Sequence, residues 1–455
     1  MRPAARVSFI ALALLLAAAA APARDDEPTT LVYPPFGHCL GLHRATSFHL
    51  FVYLGTRTRF NEPAGIAAVK LDALDDPSTS SDDDELTVFG LNSGNSEIIY
   101  NTSLTTVEIF GEPGGGEGQF RDPLGIAADS RGNVFVADTG NDRVVRLLYG
   151  DDGLRFVKHF YVPDSPLKRP SDVSMGASGK LYVADTGNDR VVSLTSTGSF
   201  VSSFAGDDSA GLSLDSPTGI SVVEADDPWI SRRQDFVVVV DSGGRRISKF
   251  TTDGRIVASL NSADVPVAEA SFGGVAIDYY GNVYATDRSG GRIHKFDRRM
   301  RYVTSVGSPG TGDMEMDEPR GITLWKRFGQ IFITERAGAQ YFWIGSDILD
   351  VEAEPDRIVA GEQGLRLRYF LTETSRVNVE LLDERGRKVC AIVSNRRRAV
   401  GENVESWDGT TGPRGRPVPP GSYTLSITAT PTYSSGEYFH DTAEVKIAVA
   451  APEEP

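Results

Sequence analysis

The sequence predicts an all-β protein: a β-propeller of six units followed by a small β-sandwich. Three observations predict it. A motif recurs about every 47 residues through the middle of the chain, each copy reads as four short strands, and the pattern changes after the sixth copy. The rival for such a repeat is a β-solenoid, but solenoid coils are usually shorter.

The 455 residues carry 46 Lys plus Arg against 62 Asp plus Glu, a net charge of −16, and 40% are hydrophobic. That apolar content supports real cores and excludes a wholly disordered chain. The acidity argues against nucleic-acid binding, which needs a basic face. Two cysteines, Cys39 and Cys390, make neither a disulfide framework nor a structural zinc site. They fall in separate expected domains, so both are expected to be unpaired.

Residues 1–23 begin with Arg2 and Arg6, continue as an apolar run to Ala21, and end in the small-x-small pattern Ala21-Pro22-Ala23. They read as a secretory signal peptide. No later segment resembles a transmembrane span. The expected address is the periplasm, the cell surface or the medium. An extended segment, 24–48, follows.

The propeller is expected over 49–346. Residues Asp122 to Leu147 (DPLGIAADSRGNVFVADTGNDRVVRL) and Arg169 to Leu194 (RPSDVSMGASGKLYVADTGNDRVVSL) are its clearest copies. Weaker copies begin at Glu62, Ser216, Phe272 and Glu318. In the second copy the strands are expected near Pro123–Ala128, Asn133–Ala137, Arg143–Tyr149 and Leu154–Tyr161. One position ends a β-type run in every copy: Asn92, Asp138, Asp185, Asp241, Asp287 and Glu335. Five residues later stand Glu97, Arg143, Arg190, Arg246, Arg292 and Gln340. A tight Gly/Asn-rich turn lies between them. The two end copies lose both members together, as a structural pair predicts. The sixth copy lacks an outer strand, and His49–Leu54 is expected to supply it and close the ring.

The run Pro-x-Gly-Ile-Ala…Gly-Asn-Val-Phe-Val-Ala-Asp-Thr-Gly-Asn-Asp-Arg-Val resembles the NHL repeat. The resemblance covers roughly 49–346 and implies a six-bladed propeller.

An acidic linker, 347–355, leads to a sandwich over 356–450. Strands are expected at Leu365–Leu371, Arg376–Leu382, Arg387–Val393, Gly401–Ser406, Gly421–Thr430 and Ala443–Val449. The Trp407-Asp408-Gly409 turn and the Gly421-Ser422-Tyr423 strand entry resemble the Ig-like domain of the flagellar hook-capping protein. That pairing of domains implies a bacterial source.

No HExxH cluster, nucleophile elbow or phosphate loop occurs. Some NHL propellers resemble the peptidyl-amidating lyase, which uses axial histidines. Here His159 and His294 fall on different strands. Lactonase-type propellers hold calcium on axial carboxylates, but the repeated Asp positions carry Arg partners. The carboxylate run Asp72 to Glu85 lacks calcium-loop spacing. No cofactor is therefore expected. The favoured reading is an exported, non-catalytic, monomeric binding or scaffold protein. It presents a propeller face to a protein, peptide or glycan, with the Ig-like domain as spacer or surface-targeting module. The alternative is a lyase or lactonase with an axial divalent metal such as calcium. Trp229, Arg232 and Arg233, on an insertion in the fourth copy, have the composition of a partner-binding hot spot. Asn395 to Arg398 forms a second, basic candidate.

Overall fold

A computed structural model describes residues 28–39, 42–75, 85–103, 106–162, 165–207, 212–267, 270–412 and 415–451. The expected export signal lies outside them, as does most of the Asp72 to Glu85 run. Among the described residues, no helix is long and apolar enough to cross a membrane.

Residues 63–344, with the N-terminal strands, form six antiparallel sheets built on one plan. In the second, Gly125–Ala128, Asn133–Asp138, Arg143–Gly150 and Gly153–Phe160 pair in sequence order. The third repeats this with Pro170–Met175, Lys180–Asp185, Arg190–Thr195 and Phe200–Phe204. The first strand of each sheet touches that of the next, and the sixth touches the first, so the sheets close into a ring. This is a β-propeller. The reason lies in strand burial. The second strand of the second sheet, Asn133–Asp138, is buried along its whole length because both of its faces meet neighbouring sheets. Its run of consecutive apolar residues, rather than an alternation, is what such a position requires.

The last sheet corrects one expectation. Its own strands are Ile322–Trp325, Gln330–Glu335 and Gly338–Ile344, and the N-terminal chain does complete it. The closing strands are Leu31–Val32, opposite Ile344 and Trp343, and Arg44–Thr46, opposite Gln340 to Gly338. They are not His49–Leu54. That segment belongs to the helix Ser47–Leu54. Local chemistry explains it. The Thr46 N–H donates to His49 Nδ1 at 3.1 Å in a capping box, and Gly55, at φ 66°, ends the helix.

Residues 348–450 form two packed sheets. One holds Ile348–Glu354, Leu365–Leu371 and Gly401–Trp407. The other runs Arg357–Val359, Asp441–Ala450, Gly421–Pro431, Ser375–Leu382 and Lys388–Arg398. Their inward faces share a core of Leu367, Tyr369, Val377, Val379, Leu425, Ile427 and Trp407. The expected linker 347–355 is thus mostly a strand of this unit. Its acidic residues hid it, because they occupy the solvent side of an edge strand.

The two units are docked closely. Asp347 accepts the Thr30 N–H at 3.0 Å and donates its own N–H to Thr372 Oγ1 at 2.8 Å. Lys295 of the fifth sheet and Glu373 are both sealed from water and pair at 2.5 Å. Tyr433 packs into the core between the fifth and sixth sheets. Neither Cys39 nor Cys390 forms a disulfide.

Candidate partner-binding surface

The recurring acid and base positions meet as expected in three copies. Asp138–Arg143, Asp185–Arg190 and Asp241–Arg246 each pair at 2.7 Å. Each pair also ties down the connection from the preceding sheet. Asp138 Oδ1 accepts the Arg121 N–H at 2.7 Å, and Arg143 donates to the carbonyls of Gly115 and Gln119 at 2.8 and 3.0 Å. Asp185 likewise accepts the Lys168 N–H, and Arg190 donates to the Ser165 carbonyl. The end copies keep the link with other chemistry. Asn92 Nδ2 donates to Glu97 Oε1 at 2.7 Å, and Gln340 Nε2 donates to Glu335 Oε1 at 2.6 Å.

The fifth copy departs from the pattern. Arg292 turns away and donates to the Gly290 carbonyl at 3.0 Å. Asp287 instead meets the buried His294, Nε2 to Oδ2, at 3.2 Å. His294 Nδ1 lies 2.7 Å from Ser305 Oγ. The Gly290-Gly291 turn, standing where the second and third copies have Asn-Asp, brings the backbone against the aspartate, the Gly290 N–H donating to Asp287 Oδ1 at 3.0 Å. Burial alone would raise the Asp287 carboxyl. Hydrogen bonds from His294, the Ser271 and Gly290 N–H groups and the Ser289 hydroxyl outweigh it and hold the group at about 2. Most of these side chains are spent on loops and strands, while Asn92 and Gln340 also line the space between the first and sixth sheets.

The first strands line a space on the ring axis whose polar side chains include Asp172, Ser174, Ser221, Thr323 and Lys326. The glycine of Pro-x-Gly-Ile sits where adjacent first strands approach closely. A Cβ on Gly65 would lie 2.6 Å from the Leu124 carbonyl oxygen and 2.9 Å from Ile126 N. The third copy has Asp172 at this position. Its carboxylate accepts the N–H of Ile220, on the neighbouring strand, and of Val173, both at 2.9 Å. Burial nevertheless pushes the group up to about 7. Among the described residues no three His, Cys, Asp or Glu side chains gather as a metal-ligand set. His159 and His294 lie on the fourth and third strands of their sheets.

Trp229 is already engaged. The insertion reaches across the fifth sheet, where the Ser231 N–H donates to the Tyr279 carbonyl at 2.7 Å. It then touches the hairpin of the sixth. Arg327 lies over the Trp229 ring at 4.9 Å, and Asp227 pairs with Lys326 at 2.5 Å. Arg232 and Arg233 remain exposed. The basic run of the second unit is also partly engaged, although Arg396 and Arg397 stay exposed. Arg398 grips Glu405 through two 2.6 Å bonds, Arg396 lies 3.7 Å from the same carboxylate, and Arg397 covers the Tyr280 ring of the propeller at 5.0 Å.

The surface that stands out is one that sequence reasoning missed. On the Ser47–Leu54 helix, Leu50 turns inward and is 4% exposed, while Phe48 and Phe51 are 69% and 56% exposed. Val52 and Tyr53 are exposed beside them. Positions 48, 51 and 52 share one helical face by their i, i+3, i+4 spacing. Read as a strand, the same residues alternate sides, and the patch vanishes. That spacing, with the Thr46/His49 capping pair, was the available signal.

Comparison with known proteins agrees with the repeat and adds no activity. Residues 120–147 match the model of the NHL repeat. No curated protein matches the chain. Among solved structures, virginiamycin B lyase from Staphylococcus aureus is 17% identical at a TM-score of 0.40, over 56% of this chain and 76% of that one. A calcium-binding protein, regucalcin, from Agrobacterium tumefaciens is 13% identical at 0.41, over 63% and 90%. The Cps50 (Swd1) β-propeller domain from Myceliophteria thermophila is 11% identical at 0.40, over 61% and 82%. The β-propeller with NHL-type repeats is therefore carried by the chain's own sheets and its repeat match.

Proposed function

We propose that this chain is an exported, non-catalytic binding protein: a six-bladed NHL propeller with a docked Ig-like sandwich, holding a protein partner on the face that carries the Ser47–Leu54 helix. The observation behind the reading is the exposed cluster Phe48, Phe51 and Val52. Clustered aromatics held out to water on a rigid helix are the composition of an interface centre. The bacterial source and export rest on the N-terminal sequence and on the resemblance of the second unit to the hook-capping protein's Ig-like domain. The close contact between the units favours a fixed platform over a flexible spacer.

The test uses a photo-crosslinking residue at position 51 of the mature protein, mixed with envelope and secreted fractions of the expressing bacterium. One dominant crosslinked partner is expected. Its capture should fall at least tenfold in a Phe48→Asp/Phe51→Asp variant and hold in Trp229→Ala. Equal capture by the double variant would sink the reading. A lyase or lactonase, the other class, would be revealed by a stoichiometric divalent ion in protein purified without chelator.

A further inference from the structure

Five of the six junctions between sheets are filled by buried apolar side chains. Phe89 and Leu91 meet Val134, Val136, Val145 and Leu147 between the first and second sheets. Equivalent clusters fill the next four junctions. Among the described residues no such cluster joins the sixth sheet to the first. That junction holds a cavity of about 260 Å³ instead.

The sequence accounts for the void. Two positions before the recurring acid, the other copies carry Val136, Val183, Val239, Ala285 and Ile333, and the first copy has Gly90. Four positions after the recurring base they carry Leu147, Leu194, Phe250, Phe296 and Ile344, and the first copy has Asn101. Gly90 and Asn101 both line the cavity. Asn101 is turned onto its own sheet, accepting the Val88 N–H at 2.5 Å and donating to the Leu86 carbonyl at 3.0 Å. It therefore adds no unpaired polar group to the space. Protein interiors are otherwise close-packed, so a gap this large at one junction of six is a feature of this copy.

The walls set the chemistry. Ile66, Val88 and Ile99 come from the first sheet, and Phe332 and Tyr341 from the sixth. The latter two rings stack face to face at 4.4 Å with 5° between their planes, so the pair offers ring edges to the space. Leu50 and Tyr53 of the Ser47–Leu54 helix lie over the space. No Lys, Arg, Asp or Glu lines it. Burial holds His43 and His49, which do line it, below the usual histidine range and therefore uncharged at neutral pH. His38 lines it too and lies 3.1 Å from Tyr438 Oη, so no lysine or arginine stands ready for a fatty acid or other anion, on a chain of net charge −16.

We infer that the space between the first and sixth sheets is a binding site for a neutral, apolar molecule of one or two aromatic rings. The volume exceeds the roughly 150 Å³ in which a dry apolar cavity holds benzene, and falls just short of the roughly 300 Å³ at which ordinary ligand pockets begin. The ring edges of the Phe332–Tyr341 stack favour a ring over a chain, because an aromatic face packs well against an aromatic edge. The site is distinct from the outward face of the helix, so it stands or falls separately from the partner reading.

The probe is Prodan, an uncharged two-ring naphthalene dye that brightens on leaving water. Titrated into the full mature chain, it should bind saturably, one molecule per chain. Gly90 is open to substitution, since a Cβ there meets only the Ile99 carbonyl oxygen, at 3.8 Å. Gly90→Ala should weaken binding and Gly90→Val should weaken it at least tenfold, with the thermal midpoint held or raised because a void is filled. The Phe48→Asp/Phe51→Asp variant should bind as the parent does. No saturable binding by the parent would overturn the inference. So would full binding by a folded Gly90→Val protein, or loss of binding in the Phe48/Phe51 variant alone. Ala339→Val, which narrows the same cavity from the sixth sheet, repeats the test should Gly90→Val not fold.

Discussion

Asp138 is fully sealed from water and Arg143 nearly so, and together they hold one connection of the ring. A buried charge left without its partner is costly. Asp138→Ala should therefore lower the unfolding free energy by about 3–5 kcal/mol. The Asp138→Ala/Arg143→Ala double variant should lose less than the sum of the singles, measured by denaturant unfolding. Additive losses would mean that the two residues act separately. At the axis, Gly65→Ala should cost about 1–3 kcal/mol, because the new methyl meets backbone that cannot step aside. Asp172 has the opposite pH dependence to an ordinary paired aspartate. Its folded value of about 7 lies above the unfolded one near 4, so its contribution to stability is present at low pH and fades as pH rises through 7. Thermal midpoints of Asp172→Asn should therefore fall less than those of the parent between about pH 5 and pH 8.

At the scale of elements, the N-terminal strands matter most. Leu31–Val32 and Arg44–Thr46 cover the last strand of the sixth sheet, Gly338–Ile344. Removing residues up to 46 would leave that strand's N–H and C=O groups open, and an open edge recruits other chains. The truncated protein should dimerise or aggregate on light scattering, while the parent stays monodisperse. A monodisperse, stable truncation would show the ring to be closed by its first-strand contacts alone. The fifth-sheet exception belongs here too. Asp287 is still held near 2, by His294 and backbone N–H groups in place of arginine, so one side-chain position is filled differently while the connection it anchors is kept.

At the scale of the molecule, the question is whether the two units unfold together. Their interface buries Lys295, Glu373, Asp278, Tyr284 and Tyr433, and Arg397 lies on Tyr280 beside them. Burial and the nearby Glu373 charge push the Asp278 carboxyl up to about 7, against the pull of Lys295. An acid raised on folding stabilises most while protonated. Docking should thus be tightest near pH 5 and weaken as pH rises through 7. Calorimetry should show one transition at about pH 5, and a lowered or split transition at about pH 8.5. Asp278→Asn should flatten that difference. Glu373→Gln leaves Lys295 buried without its partner, and should split the transition even at low pH. A single pH-independent transition in all three proteins would contradict this account.

The propeller sheets were legible because their signals are local and repeated. Asn133–Asp138 and Arg143–Gly150 lie where the repeat places them, and Asp138 and Arg143 pair five residues apart across one turn. The sandwich strands were legible for the same reason, since Leu365–Leu371 alternates inward and outward side chains. Non-local features were not. Whether 47–54 becomes strand or helix depends on which segment already occupies the edge of the sixth sheet, some 290 residues away in the chain. Trp229 and Arg397 carry the composition of exposed recognition residues, but only packing shows that Arg327 and Tyr280 already contact them. The gap at Gly90 is equally silent in sequence, because a missing side chain becomes a cavity only where no neighbour collapses into it. Periodic local preference was thus determined by the sequence alone. The use of each edge, ring and charge was decided by distant chain segments brought together, whose competition has no local signature.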